Sequence, residues 1–295
     1  MKNLNLVALI LFISGLLTGC TSVKDPEPQK RHLSLPSITT TPTGEYHHGK
    51  FVWHDLVTDD VSKAKDFYAA LFGWSFEKRG EYTLILNNGT PIGGMLEIKP
   101  DSQSKAEAVW LPSMSVADID KSIAYVKSQK GEVLKGPVDM QARGRGVLVS
   151  DPHGAHLVLL HAKDGDPKDA TPQIGDWLWN EIWTDVPKQS YSFYNKLGGY
   201  DASEMRNSYR ILKNKDQWRA GIRDVSNEDV KERWVAVVRV ADLKTITDKV
   251  EEKDGTVLVH PNKELMNGNV AIIKDNTGAL LVVQRWSENS MTGRK

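Results

Sequence analysis

The sequence has one cysteine in 295 residues, Cys20. A single cysteine excludes an intrachain disulfide, a cysteine-rich zinc site, an iron–sulfur cluster and a CxxC redox pair. The chain also lacks an excess of either charge, because 38 Lys and Arg balance 38 Asp and Glu. This balance does not favour a nucleic-acid binder, which normally carries a basic excess. The motifs GxSxG, GxGxxG and the P-loop are absent as well.

The long apolar run of the chain lies at its N-terminus. Lys2 precedes an apolar stretch over residues 4–17, which is too short for a comfortable bilayer span. A charged start, an apolar middle and small residues before Cys20 predict a signal peptide over residues 1–19. The ending Leu17–Cys20 resembles the lipobox of bacterial lipoproteins. That resemblance implies cleavage before Cys20 and lipidation of its thiol and of the new amino terminus.

The lipobox resemblance implies a protein that is lipid-anchored in the bacterial cell envelope. Thr21 stands where an Asp would signal retention in the inner membrane, which favours the outer membrane facing the periplasm. Residues 20–46, rich in Pro, Ser, Thr and Lys, are predicted to be a flexible tether. The expected partners are the membrane, reached through lipid, and a small-molecule ligand or an envelope protein, with no nucleic acid.

The rest of the chain contains one unit written twice. Residues 51–59 and 177–185 match position by position, 126 residues apart. Later matches keep nearly the same spacing, as in the pairs Tyr82/Tyr209, Gly94/Gly221, Trp110/Trp234, Asp151/Asp275 and Gly154/Gly278. The repetition predicts two domains of one kind.

The domain boundaries follow from where the repeats begin and end. The first domain is predicted over residues 47–163 and the second over residues 176–287. Residues 164–175, rich in Asp, Pro and Gly, are predicted to link them, and residues 288–295 form a C-terminal tail.

Each copy repeats one order of elements in its two halves. A β-branched and aromatic run, Phe51–Val57, predicts a strand. Thr58–Asp59 can cap the helix that follows, in which Val61, Ala64 and Leu71 share one face. Three further strands complete the half, and the second half repeats the order. The fold class is therefore α+β, with two βαβββ units in each domain.

These features resemble those of a known superfamily. The Thr58–Asp59 cap, the pairs Phe67–Tyr68 and Phe72–Trp74, and the Asp151–Gly154 turn before a final strand resemble the vicinal oxygen chelate superfamily. Glyoxalase I, extradiol dioxygenases and bleomycin resistance proteins belong to it. The resemblance implies tandem glyoxalase/bleomycin-resistance-like domains, each a curved sheet around a cavity with the helices outside. Members hold a divalent metal in that cavity or bind a ligand without one.

The resemblance also indicates which residues would hold a metal. His54 stands on the first strand, where the family places a ligand, but Val158 stands where the last strand usually supplies a Glu. Two residues before Val158, His156 shares its face of the strand. His54 and His156, with Glu97 as a third group, are therefore the candidate metal ligands of the first domain, on the assumption that His54 faces the cavity.

The second copy departs further from the metal-binding pattern. Asn180 replaces the first-strand His, and Val282 stands at the Glu position. Neither residue type makes a strong metal site. Trp183 and Trp218 have no tryptophan counterpart in the first copy and are candidates for an aromatic-lined pocket.

Candidate ligand-binding residues therefore come from both copies. They are His54, His156, Asn180, Trp183 and Trp218. Three neighbouring features receive structural interpretations. Asp55 and Glu181 are expected to point toward the helices with their neighbouring tryptophans, as capping or ion-paired groups. The Arg143–Gly146 stretch is expected to be a solvated turn.

Three functions remain open at this point. The first is a periplasm-facing lipoprotein that binds a small molecule or a partner without a catalytic metal and needs no cofactor. The second is a metal-dependent lyase, isomerase or dioxygenase with one divalent metal around His54. The third is an envelope interaction protein that uses the fold as a scaffold. The asymmetry of His54 and Asn180 motivates the second, and the two valines motivate the first.

Overall fold

A computed structural model describes residues 35–98, 107–201, 203, 208–226, 228 and 230–286. The predicted signal peptide, Cys20 with its lipid and the predicted tail over 288–295 lie outside the described residues. Within these ranges, no helix has the length and apolarity that a membrane crossing requires.

The described part of the first domain contains eight strands and two helices, in the predicted order. Its first half comprises β1 Phe51–Thr58, α1 Val61–Phe72, β2 Ser75–Arg79, β3 Tyr82–Asn87 and β4 Thr90–Glu97. Its second half comprises β5 Val109–Ser115, α2 Ile119–Ser128, β6 Glu132–Asp139, β7 Gly144–Ser150 and β8 His156–Ala162.

The described part of the second domain contains seven strands and two α-helices. They are β9 Trp177–Thr184, α3 Pro187–Gly198, β10 Tyr209–Asn214, β11 Gln217–Asp224, β12 Arg233–Val240, α4 Leu243–Glu252, β13 Thr256–Val259, β14 Val270–Lys274 and β15 Leu280–Arg285. A short 3₁₀ turn, Met266–Gly268, precedes β14.

Each domain is built on one mixed sheet. The strand order is β2-β3-β4-β1-β5-β8-β7-β6 in the first and β10-β11-β9-β12-β15-β14-β13 in the second. In the first sheet β1 and β5, the first strands of the two halves, pair antiparallel at the centre, and each pairs parallel with the last strand of its own half. The α+β prediction of two βαβββ units forming a curved sheet is confirmed.

Helix α1 shows how locally the sequence specifies these elements. The side chain of Asp60, one residue after the predicted cap, accepts a hydrogen bond from the amide of Lys63 at 2.8 Å. Gly73 ends the helix in the left-handed conformation, with φ of 72°. The buried face of α1 consists of Val61, Ala64, Phe67, Tyr68 and Leu71, as the spacing predicts.

The two domains meet through the faces of their sheets that carry the helices. One buried cluster joins the first half of the first domain to the second half of the second domain. Another joins the two remaining halves. Because both clusters mix residues of the two domains, neither core is complete without the other domain. Representative members of the first cluster are Leu56, Phe67, Tyr68, Trp110, Val238, Ile246 and Val250.

Two equivalent hydrogen-bond chains cross this interface. The hydroxyl of Tyr68 donates to Asp275 of the other domain at 2.7 Å and accepts from the indole N–H of Trp110 at 2.8 Å. The hydroxyl of Tyr194 makes the matching bond to Asp151 at 2.7 Å. These bonds satisfy the hydroxyls of Tyr68 and Tyr194, which the interface buries.

The segment before the first strand differs from its prediction. Residues 20–46 are expected to be a flexible tether, but Leu35 and Ile38 are only 4% and 3% exposed. Further along, the amides of Thr43 and Gly44 donate to the carbonyl of Asp164 at 2.8 and 3.2 Å. Residues 35–46 are therefore part of the folded body. The reason is that Leu35 and Ile38, two apolar side chains in a polar segment, pack on an apolar surface of the first domain.

Candidate functional site

The two faces of β1 have different surroundings. Leu56 packs among the residues of α1, so the even-numbered positions of β1 face the helices. Trp53 and Val57 pack in separate clusters on the opposite side of the sheet. We call that side the helix-free face. It is the side on which the family resemblance places the cavity.

His54 lies on the face that carries the helices, which corrects its predicted position. Its Nε2 is 3.0 Å from Oδ1 of Asn180, the equivalent residue of the second domain. Its ring stacks on Trp177 with 4.1 Å between centroids. Burial lowers the pKa of His54 to about 3, and the bond to Asn180 only partly opposes this. His54 and Asn180 therefore form a neutral pair between the domains, not a ligand-binding site.

The three candidate metal ligands do not converge. Val158 packs with Val57 and Leu111 on the helix-free face, so His156, two residues away, shares that face and lies opposite His54. Glu97 is exposed and pairs with Thr58 at the far end of β1. A sheet separates the two imidazoles, so the predicted metal set is wrong. Among the described residues, no three His, Cys, Asp or Glu side chains form a group that could hold a metal.

The helix-free face of the first domain carries a buried polar cluster instead, which we call the first-domain cluster. Asp55 accepts hydrogen bonds from Arg143 at 2.9 Å, from Tyr82 at 2.6 Å and from the indole N–H of Trp53 at 3.1 Å. Arg143 also donates to the Tyr82 hydroxyl at 2.7 Å. Burial alone would lower the pKa of Arg143, but Asp55 and Tyr82 raise it above its ordinary value. The expected solvated turn at Arg143 is wrong, because this guanidinium is buried.

The second domain repeats the arrangement with a different arginine, forming the second-domain cluster. Glu181 accepts from Arg223 at 3.0 Å, from the Tyr209 hydroxyl at 2.9 Å and from the indole N–H of Trp183 at 3.1 Å. Trp183, a candidate ligand residue, is thus engaged within the protein and buried. The carboxylates of both clusters are ion-paired, as expected, but they lie on the helix-free face and not toward the helices.

Glycine makes room for the tyrosine in each cluster. A Cβ at Gly94 would lie 1.8 Å from the hydroxyl oxygen of Tyr82, and one at Gly221 would lie 1.8 Å from that of Tyr209. Any other residue would therefore displace the ring from the carboxylate. This explains why both copies keep a glycine and a tyrosine at matching positions.

Gly94→Ala is expected to lower the free energy of unfolding by about 1–3 kcal/mol, the usual cost of overpacking. The new methyl group pushes the Tyr82 hydroxyl away from Asp55. Urea unfolding measures the loss. Gly89→Ala is not a suitable control because Gly89 has a positive φ of 79°. In a chain that already carries Tyr82→Ala, where no ring stands against the new methyl group, Gly94→Ala should cost less than in wild type. An equal cost in both backgrounds would contradict the steric explanation.

The two clusters differ at the first tryptophan. In the first domain the indole N–H of Trp53 is bonded to Asp55 and to Tyr82. In the second domain Trp183 has taken the position on Glu181, and the buried indole nitrogen of Trp179 has no hydrogen-bond partner among the described residues. A buried N–H without an acceptor costs free energy.

Aromatic rings surround this unpaired group. Trp179 stacks with Tyr209 and with Trp218, each at 5.9 Å between centroids and within 27° of parallel. Trp218 is 37% exposed, and the ammonium of Lys213 lies 5.7 Å from its ring centroid. The structure thus places Trp218, predicted from sequence, beside Trp179 at an edge that solvent reaches.

The helix-free faces do not fit a divalent metal as they are built. The carboxylates of Asp55 and Glu181 are each paired with a guanidinium, which would repel a cation. Val158 and Val282, at the positions where the family usually supplies a Glu, pack among apolar side chains. His156 belongs to no group of three metal-ligating side chains among the described residues. No metal-dependent step is derived for either domain.

The clusters had a sequence signal that the strand assignment obscured. Trp53 and Asp55 repeat as Trp179 and Glu181 at the same spacing, together with the matching tyrosines and glycines. A Trp-x-acid pattern repeated in both copies indicates a shared polar site. The two arginines gave no such signal, because they do not occupy matching positions of the two copies. Arg143 directly precedes β7, whereas Arg223 lies in β11.

Comparison with known families agrees with this architecture. Residues 31–159 match the family model described as the Glyoxalase/Bleomycin resistance protein/Dioxygenase superfamily. The matched part covers the first domain, and the second domain repeats its plan. The fold of the two domains is that of tandem glyoxalase-like domains.

Particular relatives extend over both domains. "Putative glyoxylase CFP32" of Mycobacterium tuberculosis (strain CDC 1551 / Oshkosh) is 28% identical over 249 residues, which cover 81% of this chain and 95% of the relative. The anthracycline biosynthesis protein DauV of Streptomyces sp. (strain C5) is 25% identical over 251 residues, covering 78% and 91%.

Solved structures share the fold at low identity. The Mn(II)-bound glyoxalase of Novosphingobium aromaticivorans has a TM-score of 0.56 at 12% identity, over 81% of this chain and 83% of its own. A variant of homoprotocatechuate 2,3-dioxygenase from B. fuscum has a TM-score of 0.57 at 12% identity, over 84% and 74%. These similarities show the fold alone.

Proposed function

We propose that this protein binds a small planar molecule at the helix-free face of its second domain and performs no metal-dependent chemistry. The unpartnered indole nitrogen of Trp179 is the observation that carries the proposal. An oxygen acceptor of the ligand would receive this hydrogen bond. The stacked rings of Trp179, Tyr209 and Trp218 supply flat surfaces on which an aromatic ring can lie.

The charges at this edge specify the ligand further. Arg223 lies 5.4 Å from the Tyr209 ring and Lys213 lies beside Trp218, so cations border the aromatic surface. The carboxylate of Glu181, which the Tyr209 hydroxyl contacts, is already held by Arg223. The site therefore favours a neutral or anionic planar molecule that carries carbonyl or phenolic oxygens. Relatives named for anthracycline biosynthesis suggest fused-ring compounds of this chemistry.

The binding role is preferred to catalysis because the polar groups of both clusters are satisfied by one another. Asp55 and Glu181 each accept three hydrogen-bonding partners, including an arginine. Groups held in this way lend themselves poorly to proton transfer, which needs a carboxylate within reach of the substrate. The alternative of a metal-dependent lyase, isomerase or dioxygenase around His54 loses its support, since His54 faces the other domain.

We further propose that binding takes place at the cell envelope. The lipobox-like ending at Cys20 supports a lipid anchor, and Thr21 supports an outer-membrane location facing the periplasm. Two or three acyl chains would hold the protein at the membrane, at about 0.8 kcal/mol per buried methylene. Radiolabelled palmitate incorporation into wild type but not into Cys20→Ala tests the anchor.

Quenching of tryptophan fluorescence by daunomycinone, the uncharged planar aglycone of an anthracycline, tests the binding proposal. Trp218→Ala is expected to weaken binding about 5- to 150-fold, since loss of one stacking ring is worth about 1–3 kcal/mol. Tyr46→Ala, which removes an aromatic ring 39% exposed on the first domain, is the matched control and should bind as wild type.

Two outcomes would overturn the proposed function. One is equal affinity of daunomycinone for wild type and Trp218→Ala, which would place binding elsewhere. The other is stoichiometric Mn, Fe, Ni or Zn in the purified protein by elemental analysis, which would restore the metal-dependent alternative.

A further inference from the structure

The helix-free face of the first domain is covered by the chain itself. Leu35 and Ile38 pack in one cluster with Trp53, Tyr82 and Leu84 of the sheet. Leu160 and Ala162 of β8 complete the apolar surface beneath them. The covered area is the surface on which the first-domain cluster is built.

A polar contact fixes the direction of this segment. The Nε of Arg143 donates to the carbonyl of Pro36 at 3.3 Å, while its terminal nitrogens remain on Asp55 and Tyr82. One guanidinium therefore bonds both the polar cluster and the backbone of the segment above it. Because Pro36 has no amide hydrogen and a fixed φ, it favours an extended backbone here.

The chain that follows is attached to the predicted linker. The hydroxyl of Thr43 donates to the carbonyl of Asp166 at 2.8 Å, and the amide of His47 donates to the carboxylate of Asp166 at 2.7 Å. The segment is thus held by apolar contacts at Leu35 and Ile38 and by hydrogen bonds at Thr43 and His47.

The second domain has no counterpart of this cover from the preceding chain. The residues 126 positions after Leu35–Ile38 are His161–Asp164, of which His161 and Ala162 belong to β8 of the first sheet. They cannot reach the second helix-free face while they pair with β7. The two domains therefore use equivalent faces differently.

We propose that the helix-free face of the first domain is a binding site for an extended peptide, and that residues 35–38 of the same chain occupy it in cis. The site recognises two aliphatic side chains three positions apart and one carbonyl between them, which Arg143 bonds. When the internal segment is released, a separate short peptide with this Leu-Pro-x-Ile pattern binds to the same face. The inference is independent of the ligand site proposed for the second domain.

Release of the segment in the full chain provides the experiment. The variant Leu35→Ser/Ile38→Ser removes both aliphatic contacts, and Thr40→Ser/Thr41→Ser changes two exposed residues of the same segment as the matched control. Hydrogen exchange followed by mass spectrometry is expected to show at least tenfold faster exchange over residues 35–46 and over β3 in the first variant only.

A peptide added in trans then tests recognition. A synthetic peptide of residues 33–42, at about 1 mM to match the effective concentration of a short flexible linker, is expected to restore slow exchange over β3 in the released variant. The same peptide carrying both serines should not, and the wild-type chain should not respond, because its own segment competes.

Two results would overturn the proposal. The first is fast exchange of residues 35–46 in the wild-type chain, which would mean that the segment does not occupy the face. The second is a released variant, folded by circular dichroism, whose exchange the wild-type peptide leaves unchanged. If the double variant does not fold, Ile38→Ala provides the same comparison with a smaller release. Daunomycinone affinity separates this result from the proposed function, since failure here leaves the Trp218 dependence intact.

Discussion

Replacing Asp55 with Ala is expected to lower the free energy of unfolding by about 3–5 kcal/mol, the cost of breaking a buried ion pair from one side. The substitution leaves Arg143, whose side chain is 2% exposed, without its carboxylate partner. It also removes the acceptor of the Tyr82 hydroxyl and the Trp53 indole. Urea unfolding followed by circular dichroism measures the loss.

The equivalent residue of the second domain is the matched control. Glu181→Ala leaves Arg223, whose side chain is 21% exposed, so solvent can take over part of the lost interaction. We expect a smaller loss than for Asp55→Ala. Combining Asp55→Ala with Arg143→Met should recover stability, because the second change removes the unpaired charge. Equal losses in both domains, or no recovery, would contradict the explanation by desolvation.

His54→Gln is expected to remove an acid sensitivity from the protein. The pKa of His54 is about 3 in the folded chain and 6.5 when unperturbed. Between these values the unfolded chain binds a proton that the folded chain does not, so stability falls as pH falls from about 6.5 to about 3. A shift of this size corresponds to a loss on the order of 4 kcal/mol. Glutamine does not titrate, and its amide can still donate to Asn180.

The measurement is the free energy of unfolding of both proteins at several pH values between 7 and 3.5. The stability of wild type should fall more steeply toward acid than that of His54→Gln. His156→Gln is the control, because His156 is partly exposed on the other face, where burial also lowers its pKa but nearby Asp151 and Glu132 oppose this. Parallel pH profiles for wild type and His54→Gln would contradict a buried, neutral His54.

The repeats, the helices and nearly all the strands could be predicted from sequence because their signals are local. The side of the sheet toward which each side chain of β1 points could not be predicted in this way. All but one of its residues are buried, so alternation separates the side chains into two sets without showing which set faces the helices. A bulge at Phe51/Trp53 further disturbs the register near its start. His54 was therefore assigned to the wrong face, and with it the metal site.

The site residues that sequence analysis missed depend on distant partners. Arg143 meets Asp55 across 88 positions, from a glycine-flanked loop without periodicity. Leu35 and Ile38 lie in a segment whose composition indicates a tether, and only the surface beneath them explains their burial. By contrast, Trp218 can be proposed from sequence because an unmatched tryptophan in a repeated sequence marks a place where the copies differ.

The bond between His54 and Asn180 has a consequence for the duplication itself. These are equivalent positions of the two copies, so the chain reproduces the contact that a two-fold axis creates between identical subunits. On a true axis a residue can meet only itself. In a covalently fused chain the two positions can carry different residues. The ring nitrogen of His54 can then donate to the amide oxygen of Asn180. The chain therefore behaves at its centre as a dimer whose halves were free to become different.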